Sequence, residues 1–417
     1  MKPTLLFFVT ALSATGGGQH ALARLACELT NRGYRVIVFT RPPFTSEHRY
    51  VQWLREAGIP VHVWPLAIGN AVGRFVQKAA GWSLALPYAA AKGRSVAAGR
   101  QAGESLWHSY LAARERRRIL ASLDEALPSH GGAILHVWGP ATLTPSLLAW
   151  ASSRNVPAVY HEMGEADEPY VDTWRLQDTI AALGAADAVI CSSPRVEAGI
   201  RSVYGYTGPV SAIPFLIADP GDDWHKASRN GAGMTIGVIG RLVPHKRHTD
   251  LMDAVALLRE RGIGANLLIA GDGPHRAFLE QYRDDRRLQD HVQFTGEFES
   301  LADVMSNIDM FAITSSSESQ CMPIAEAMSY GKPAVVADSG GMPDFVDHGQ
   351  TGLVVPLGDI AALTAALGRL VTDPELRQAM GRRAREVYLE RYTPARIVAA
   401  IEQVYERVGA RAESPSC

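Results

Sequence analysis

A two-domain α/β fold is the architecture that this sequence predicts, and three observations support it. The chain has 417 residues, which is the size of two or three ordinary domains. Apolar runs of strand length alternate with amphipathic stretches of helix length in both halves. A polar, glycine-rich stretch from Asp219 to Gly233 interrupts the alternation near the middle. We therefore expect two doubly wound, mostly parallel sheets joined by a linker.

The composition is that of an ordinary globular protein. Hydrophobic residues make up 47% of the chain and charged residues 20%, and the formal net charge is −2. This balance predicts no binding to nucleic acid or to another polyanion. The cysteines show no metal-type spacing, so we expect reduced thiols and a cytoplasmic location. They are Cys27, Cys191, Cys321 and Cys417.

The apolar run near the amino terminus has two interpretations. Leu5 to Ala14 follows a single lysine, as the hydrophobic part of a signal peptide would. We favour a first β-strand, because the run is short and leads directly into a glycine-rich turn and an amphipathic helix. No stretch of the sequence reaches the roughly 18 to 20 apolar residues that a membrane-spanning helix needs.

The first half begins with a βαβ pattern. A strand from Thr4 to Leu12 is followed by the glycines at 16–18, a helix from His20 to Arg32 and a second strand. The glycine loop does not read G-x-G-x-x-G, and Thr40-Arg41 stands where a dinucleotide site needs an acidic residue. A hydride-transferring enzyme is therefore disfavoured. The glycines would still let a ligand approach the backbone closely.

Two histidines stand near strand ends in the first half. His136 lies near the end of the apolar run that starts at Ala133, and His161 directly follows the next apolar run. A histidine is usually a packed or surface residue, but strand ends face the ligand crevice in open α/β sheets. His161 is thus the stronger candidate for a functional role. Glu162 and Glu165 are candidates for an acceptor contact or a local base.

Residues 66–126 depart from the alternation of strands and helices. Between Leu66 and Arg118, nine lysines and arginines lie against two glutamates, and aromatic residues are interspersed. Three interpretations remain: a helical insertion that covers the sheet edge, a peripheral segment on an anionic membrane surface, or an acceptor-binding lobe. The membrane interpretation would bring the protein to the inner face of the membrane.

The second half contains the pattern around which a ligand site is predicted. An apolar run starting at Met310 precedes Glu318, and Pro323, which suits a first helical turn, precedes Glu326. We therefore expect Glu318 at the carboxyl end of a strand and Glu326 in the first turns of the next helix. This crevice commonly binds ligands, and a helix start suits a phosphate. Two carboxylates beside it suit hydroxyls, so a nucleotide sugar is the predicted ligand.

A pair of cations is predicted to complete this site. Arg241 and Lys246 share one strand-to-helix loop, where such a pair is more often a surface feature. If the loop faces Glu318, the two cations fit a diphosphate, with about 1.5–3 kcal/mol from each charge-assisted hydrogen bond. Cations aimed at a departing diphosphate would also lower a barrier, in place of a metal.

The second half resembles the retaining GT-B glycosyltransferases of family four, the group 1 glycosyl transferases. The first half is similar more loosely, and residues 66–126 resemble no motif of the family. The matching motifs are Gly240 to Lys246, Gly271 to Pro274, Val292 to Gly296, Glu318 to Pro333, Gly340 to Asp344, Gly349 to Pro356 and, in the first half, the glycines at 16–18, the strand ending at His161 and Ala186 to Ser193.

The resemblance implies an architecture and a set of side-chain roles. Two Rossmann-like domains would face each other across a cleft: an acceptor domain over 1–218 and a donor domain over 234–391, with a helix in 392–417 that crosses back. Arg241 and Lys246 would bind the donor diphosphate. Glu318 would contact the sugar hydroxyls, Glu326 the ribose hydroxyls, and His161 the sugar near the reaction centre.

The resemblance also implies contacts made by the backbone. Main-chain groups of Thr295 and Gly296 would pair with the base. Those of Gln320, Cys321 and Met322 would cap the sugar or phosphate. Those of Gly17 and Gly18 would approach the phosphate from the facing domain.

The implied activity is retaining transfer of a hexosyl or N-acetylhexosaminyl group from a nucleoside diphosphate sugar, with UDP favoured and no obligatory metal. The acceptor stays open among a glycan, a lipid-linked glycan and a small molecule. Alternatives are an epimerase or hydrolase of the same architecture and a non-catalytic sugar-nucleotide-binding subunit. Departures from the family are Ser319 and Met322 at glycine positions, and Pro214-Phe-Leu-Ile in place of Pro-Asn-Gly. We expect hinges at 219–233 and near Tyr392.

Overall fold

A computed structural model describes most of the chain. The described residues are 2–11, 17–41, 49–63, 113–130, 132–139, 143–164, 177, 180–226, 233–298, 300–318 and 321–413. By their contacts they form two compact units. The first unit takes its residues from 1–161, 172–189 and 405–417, and the second from 162–171 and 190–404.

The first sheet has seven strands in the order β3-β2-β1-β4-β5-β6-β7. Its central strands are mostly apolar and are buried, as expected of parallel strands covered on both faces. The chain leaves β1 and returns on its other side at β4, which makes the carboxyl end of β1 a topological switch point. The strands are β1 (Thr4–Ala11), β2 (Arg35–Arg41), β3 (Val61–Val63), β4 (Ala133–Trp138), β5 (Ala158–His161), β6 (Ala188–Cys191) and β7 (Val210–Ala212).

Amphipathic helices connect these strands. The first begins three residues earlier than expected from periodicity, at Gly17, and buries Leu22, Leu25 and Leu29 as predicted. Gly33 follows it with φ +84°, the left-handed conformation that ends many helices. The described helices here are α1 (Gly17–Asn31), α2 (Arg49–Glu56), α3 (113–126), α4 (Thr144–Ser153) and α5 (Pro194–Ser202).

The second sheet has six strands in the order β10-β9-β8-β11-β12-β13. Its order reverses between β8 and β11, so a second switch point lies at the carboxyl ends of these two strands. The loop of Arg241 follows β8, and the loop of Glu318 follows β11. The strands are β8 (Met234–Ile239), β9 (Ala265–Ala270), β10 (Val292–Gly296), β11 (Met310–Ile313), β12 (Ala334–Ala337) and β13 (Gly352–Val355).

Helices cover the second sheet and extend to the end of the described chain. The predicted apolar face of the first of them, Leu251, Val255 and Leu258, is fully buried against the sheet. No helix among the described residues is both long and apolar enough to cross a membrane. The helices are α6 (His248–Glu260), α7 (Arg276–Asp285), α8 (Leu301–Ser306), α9 (Met322–Ser329), α10 (Ile360–Thr372), α11 (Pro374–Arg391) and α12 (Pro394–Glu413).

The first part of the predicted linker is held by an arginine of α11. The buried guanidinium of Arg385 lies 2.8 Å from a carboxylate oxygen of Asp219 and donates to the carbonyl oxygens of Ser329 and Gly221. Residues Gly221–Lys226 form a 3-10 helix. Arg385 thus fixes this stretch to the second unit through Asp219 and Gly221. The later residues of the predicted hinge, 227–232, lie outside the described part.

Candidate functional site

The loop after β8 is shaped by a tight turn and held by its neighbour. Pro244–Lys246 form a 3-10 turn, and Arg247 adopts a left-handed conformation with φ 50°, so α6 begins at His248. The hydroxyl of Thr314 donates to the carbonyl of Arg247 at 2.9 Å. The backbone N–H of Ser316 donates to the carbonyl of His245 at 2.8 Å. The loops after β8 and β11 are thereby joined at the switch point.

Two glycines after β9 bring a third loop against the first. Gly271 has φ +135°, and a Cβ there would lie 2.1 Å from the carbonyl oxygen of Gly240. A Cβ on Gly273 would lie 2.4 Å from the carbonyl oxygen of Leu242. Only glycine allows backbones to approach so closely. The Gly271-Asp-Gly-Pro motif therefore supports the loop that carries Arg241 and Lys246.

Lys246 and Glu318 meet directly in the second unit. The ammonium group of Lys246 donates to Oε1 of Glu318, and the hydroxyl of Ser315 donates to the same oxygen at 3.0 Å. Their side chains are only 17% and 12% exposed. Burial is the largest single effect and lowers the pKa of Lys246, but the attraction and the hydrogen bond of Glu318, together with a contribution from Cys321, leave that pKa above its ordinary value. Lys246 is thus a fixed positive charge, and the exposed Arg241 adds a second nearby.

The helix that follows Glu318 starts beside this pair. Cys321 precedes α9, and within the described residues its side chain makes no capping hydrogen bond to the helix. Burial raises the pKa of the Cys321 thiol well above its ordinary value, and the charge of Glu318 adds to this effect. The thiol is therefore protonated and unreactive. Met322 is the first helical residue, and Glu326, partly buried, lies in the second turn.

The end of β10 lies one strand beyond the Gly271 loop. The carbonyl of Gly296 accepts hydrogen bonds from the backbone N–H of Gly271 and from the hydroxyl of Thr295, both at 2.9 Å. Because β10 is the edge strand, the sheet does not use the main-chain groups on its outer side. Those groups suit the recognition of a planar base.

In the first unit, His161 is the last residue of β5 and belongs to an aromatic cluster. His161, His136 and Trp138 lie on one face of the sheet, because β4 and β5 pair Trp138 with His161. Nδ1 of His161 lies 3.3 Å from Nε2 of His136. Nδ1 of His136 lies 2.7 Å from the hydroxyl of Tyr405 in α12. The indole of Trp138 stacks on His161 with 4.1 Å between ring centroids.

Both imidazoles in this cluster are neutral at ordinary pH. Burial lowers the pKa of His161 to about 3 and takes the pKa of His136 well below its ordinary value, with His161 contributing to the latter. Burial disfavours the charged form of each imidazole, because the charge would lose its hydration. These histidines act by hydrogen bonding and packing.

Glu162, a candidate acceptor contact in the sequence, is held by hydrogen bonds within the second unit. It is buried, and its carboxylate accepts hydrogen bonds from the N–H groups of Met163 and Gly164 and from the hydroxyl of Tyr204 at 2.9–3.0 Å. A carboxylate with these three donors stabilises its own loop. The other candidate, Glu165, lies outside the described residues.

Two sequence families match nearly the whole chain. The one described as Glycosyltransferase Family 4 matches residues 15–217, and the one described as Glycosyl transferases group 1 matches residues 222–387. A GDP-mannose-dependent phosphatidylinositol monomannoside mannosyltransferase of Mycobacterium tuberculosis is 33% identical over 65% of this chain and 73% of its own length. The chain belongs to the family-four glycosyltransferases.

Two other proteins are similar to this glycosyltransferase over a shorter length or at a lower identity. An N-acetyl-alpha-D-glucosaminyl L-malate synthase of Bacillus anthracis is 32% identical over 160 residues, so the chain spans 42% of that protein's length. The structure of Anabaena HepE with UDP and glucose aligns with a TM-score of 0.71 at 17% identity, over 98% of this chain and all of the HepE chain. At this identity the likeness shows the GT-B fold alone.

The structure of this family-four glycosyltransferase brings part of the predicted site together. In the second unit Arg241, Lys246, Glu318 and Cys321 lie around one switch point, with Glu326 on the adjoining helix. His161, Gly17 and Gly18 belong to the first unit, where the glycines start α1. Gln320 and Ser319 lie outside the described residues. In the described part, no group of three or more metal-ligating side chains is placed to hold a metal ion.

Two polar residues of the site carry no strong signal in the sequence. Ser315 is fully buried and contacts Glu318, but it is one of three consecutive serines, and their spacing does not single it out. Tyr405 bonds His136 from 269 residues away in sequence. Such a separation leaves no local pattern to read.

Proposed function

We propose that this protein is a retaining glycosyltransferase that moves a hexosyl or N-acetylhexosaminyl group from a nucleoside diphosphate sugar to an acceptor hydroxyl. The observation that carries the proposal is the cluster at the second switch point. At that point the cations Arg241 and Lys246 and the carboxylates Glu318 and Glu326 lie near the start of helix α9. Cations suit a diphosphate, and carboxylates suit hydroxyls.

The leaving group defines the work of the cations. When the bond between the anomeric carbon and the phosphate oxygen breaks, its electron pair stays on the diphosphate. Arg241, Lys246 and the N–H groups at the start of α9 would stabilise this added charge through preorganised electrostatics. With two cations in place, the mechanism we propose needs no metal.

Retention requires that the acceptor attack from the face that the diphosphate leaves. In this mechanism a short-lived oxocarbenium–phosphate pair forms first. The acceptor oxygen then bonds to the anomeric carbon, and its proton passes to the departing phosphate oxygen. Glu318 would hold sugar hydroxyls near the reacting carbon, and its link to Lys246 and Ser315 supports one fixed orientation. His161 would contact the sugar from the first unit.

For the nucleotide we propose UDP, with Glu326 on the ribose hydroxyls and the backbone of Thr295 and Gly296 on the base. Gly17 and Gly18, at the start of α1, would let the backbone approach the phosphate. The N–H groups near Cys321 and Met322, with Gln320, would cap the sugar or phosphate. Because one relative is GDP-mannose-dependent, GDP-mannose is the comparison donor for this proposal.

For the acceptor we propose a hydroxyl of a glycan, free or lipid-linked.

We also propose a peripheral contact between the protein and an anionic membrane. Helix α3 supports this contact: it buries Ile119 and Leu123 and exposes Arg114 and the three arginines at 116–118. A basic exposed face attracts anionic lipids. Sedimentation with phosphatidylserine vesicles should exceed that with phosphatidylcholine vesicles, and the excess should fall at high salt. Equal binding would contradict the contact.

A donor panel tests the enzymatic proposal. The purified protein is incubated with UDP-glucose, UDP-N-acetylglucosamine and GDP-mannose, and release of the nucleoside diphosphate is followed with and without acceptors. We expect release with a UDP-sugar that does not change when a chelator is added. The absence of binding and turnover with every donor would overturn the proposal. Release of an epimerised sugar without acceptor would favour an epimerase.

A further inference from the structure

A buried hydrogen-bond chain leads from α12 to His161. It consists of the Tyr405 hydroxyl, the His136 imidazole and the His161 imidazole, with contacts of 2.7 Å and 3.3 Å. All three side chains are at most 2% exposed. The reaction scheme above uses only the last of them, so the first two need a separate explanation.

Aromatic packing fixes the two imidazole planes. The planes differ by 8°, yet the centroids are 5.4 Å apart while the facing nitrogens are 3.3 Å apart. The rings therefore meet edge to edge, as a hydrogen bond in the ring plane requires. The edge of Phe7 packs on His136 with planes at 76°, and Trp138 covers a face of His161. Neither ring can turn away without displacing a buried aromatic neighbour.

The direction of the hydrogen bonds follows from the hydroxyl. Among the described residues, Nδ1 of His136 is the hydrogen-bond partner of the Tyr405 hydroxyl. A phenol has one proton, and leaving that proton unpaired in a buried site costs free energy. Tyr405 therefore donates to Nδ1 of His136. That imidazole is neutral, so its proton lies on Nε2 and is donated to Nδ1 of His161.

We propose that Tyr405 and His136 are positioning residues that hold His161 in the tautomer with its proton on Nε2. In this form His161 presents an N–H donor and has no free basic nitrogen. The inference rests on the proposed function for its purpose: such a donor suits a sugar oxygen, and it removes His161 from the candidates for a general base. The chain also makes α12 part of the catalytic apparatus.

Histidine nitrogen shifts measure the tautomer without any substrate. Long-range ¹H–¹⁵N correlation spectra of the full-length protein, labelled with ¹⁵N-histidine, distinguish a protonated Nε2 from a protonated Nδ1. His161→Asn and His136→Gln assign the two signals by their loss. We expect the Nε2–H pattern for both histidines at pH 7. An Nδ1–H pattern for His161 would overturn the proposal.

Removing the tyrosine hydroxyl tests its control over the tautomer. In Tyr405→Phe the His136 proton has no fixed position, so the His161 signal should shift toward a mixture of tautomers. We expect kcat to fall about fivefold, the scale of one neutral hydrogen bond, with little change in the KM of the donor. The matched control is Tyr388→Phe, which removes another buried hydroxyl, 3.3 Å from the carbonyl of Ile217. It should leave both readouts unchanged.

A second variant covers the case in which Tyr405→Phe does not fold. The amide of His136→Gln can accept from Tyr405 and donate to His161, whereas His136→Leu can do neither. The glutamine variant should keep the Nε2–H pattern of His161 and most of kcat, and the leucine variant should lose both. Equal His161 spectra in the two would refute the chain. The spectra need no turnover, so a failed donor panel would remove the proposed function and leave this result standing.

Discussion

The polar cluster of the second unit contains a buried charge, whereas the polar cluster of the first unit is neutral. Lys246 keeps its charge although it is largely buried, because Glu318 lies against it and the pKa of Lys246 stays above its ordinary value. His161 and His136 are also buried, and desolvation lowers the pKa of each, so both are neutral. A charged cluster acts by attracting an anion and by stabilising developing charge. A neutral cluster acts by orienting a hydrogen bond.

The largest expected effect is the removal of either charge from the second-unit cluster. Lys246→Ala and Glu318→Ala should each lower turnover at least about a hundredfold, the scale of one strong transition-state contact. The control is Arg383→Ala, which breaks an exposed ion pair with Glu386 and should leave turnover unchanged. If neither substitution slowed nucleotide release, the charged cluster of the second unit would have no part in the reaction.

The variant Gly273→Ala should displace the loop that carries Arg241 and Lys246. The added Cβ would meet the carbonyl oxygen of Leu242 at 2.4 Å, so the loop must shift, at a cost of up to about 3 kcal/mol. Gly264→Ala is the matched control, because nothing lies within 4 Å of a Cβ there. Urea unfolding measures the stability, and titration with the donor measures its affinity. Equal stability and affinity of the two variants would show that the glycine is dispensable.

His248 is a neutral buried imidazole like those of the first unit, but it lies beside the charged loop of the second unit. Burial lowers its pKa to about 4, and the charge of Lys246 adds to the effect. In the unfolded chain the pKa of His248 is near 6.5, so as the pH falls the unfolded chain binds the proton before the folded protein does. Stability is therefore fully present above pH 6.5 and falls as the pH drops toward 4, by about 2 kcal/mol at pH 5.

The variant His248→Leu should remove this contribution. Among the described residues neither ring nitrogen of His248 has a hydrogen-bond partner, so an apolar side chain leaves no polar group behind. We expect the difference in unfolding free energy between pH 7 and pH 5 to shrink by about 2 kcal/mol relative to the parent protein. An unchanged difference would show that His248 does not titrate in this way.

The smallest effect is expected from Ser315→Ala. It removes a donor to Oε1 of Glu318 while leaving the Lys246 contact in place. We expect a loss in kcat of about tenfold or less. Ser316→Ala is the control, because its hydroxyl bonds the carbonyl of His245 instead. A loss as large as that of Glu318→Ala would mean that Ser315 has a more direct part in the reaction.

The fold class was predicted correctly from the sequence, whereas strand β13 and helices α7 and α8 were not predicted. Glu318 lies after a buried strand and Glu326 in the early turns of the next helix, as the apolar run and Pro323 indicated. Periodicity was less accurate at element ends: α1 starts at Gly17 and not at His20. Glycines carry no apolar pattern, so the first turn of this helix was not visible. The roles carried over from the family stay predictions.

What the sequence determined by itself was local: which runs are strands, which loops follow them and which charged residues those loops carry. The tertiary structure alone decided that Lys246 meets Glu318, 72 residues away, and that Tyr405 meets His136, 269 residues away. These contacts arise because strand order brings distant loops to one switch point and packs one helix on one sheet face. Neither strand order nor helix docking is encoded in the spacing of neighbouring residues.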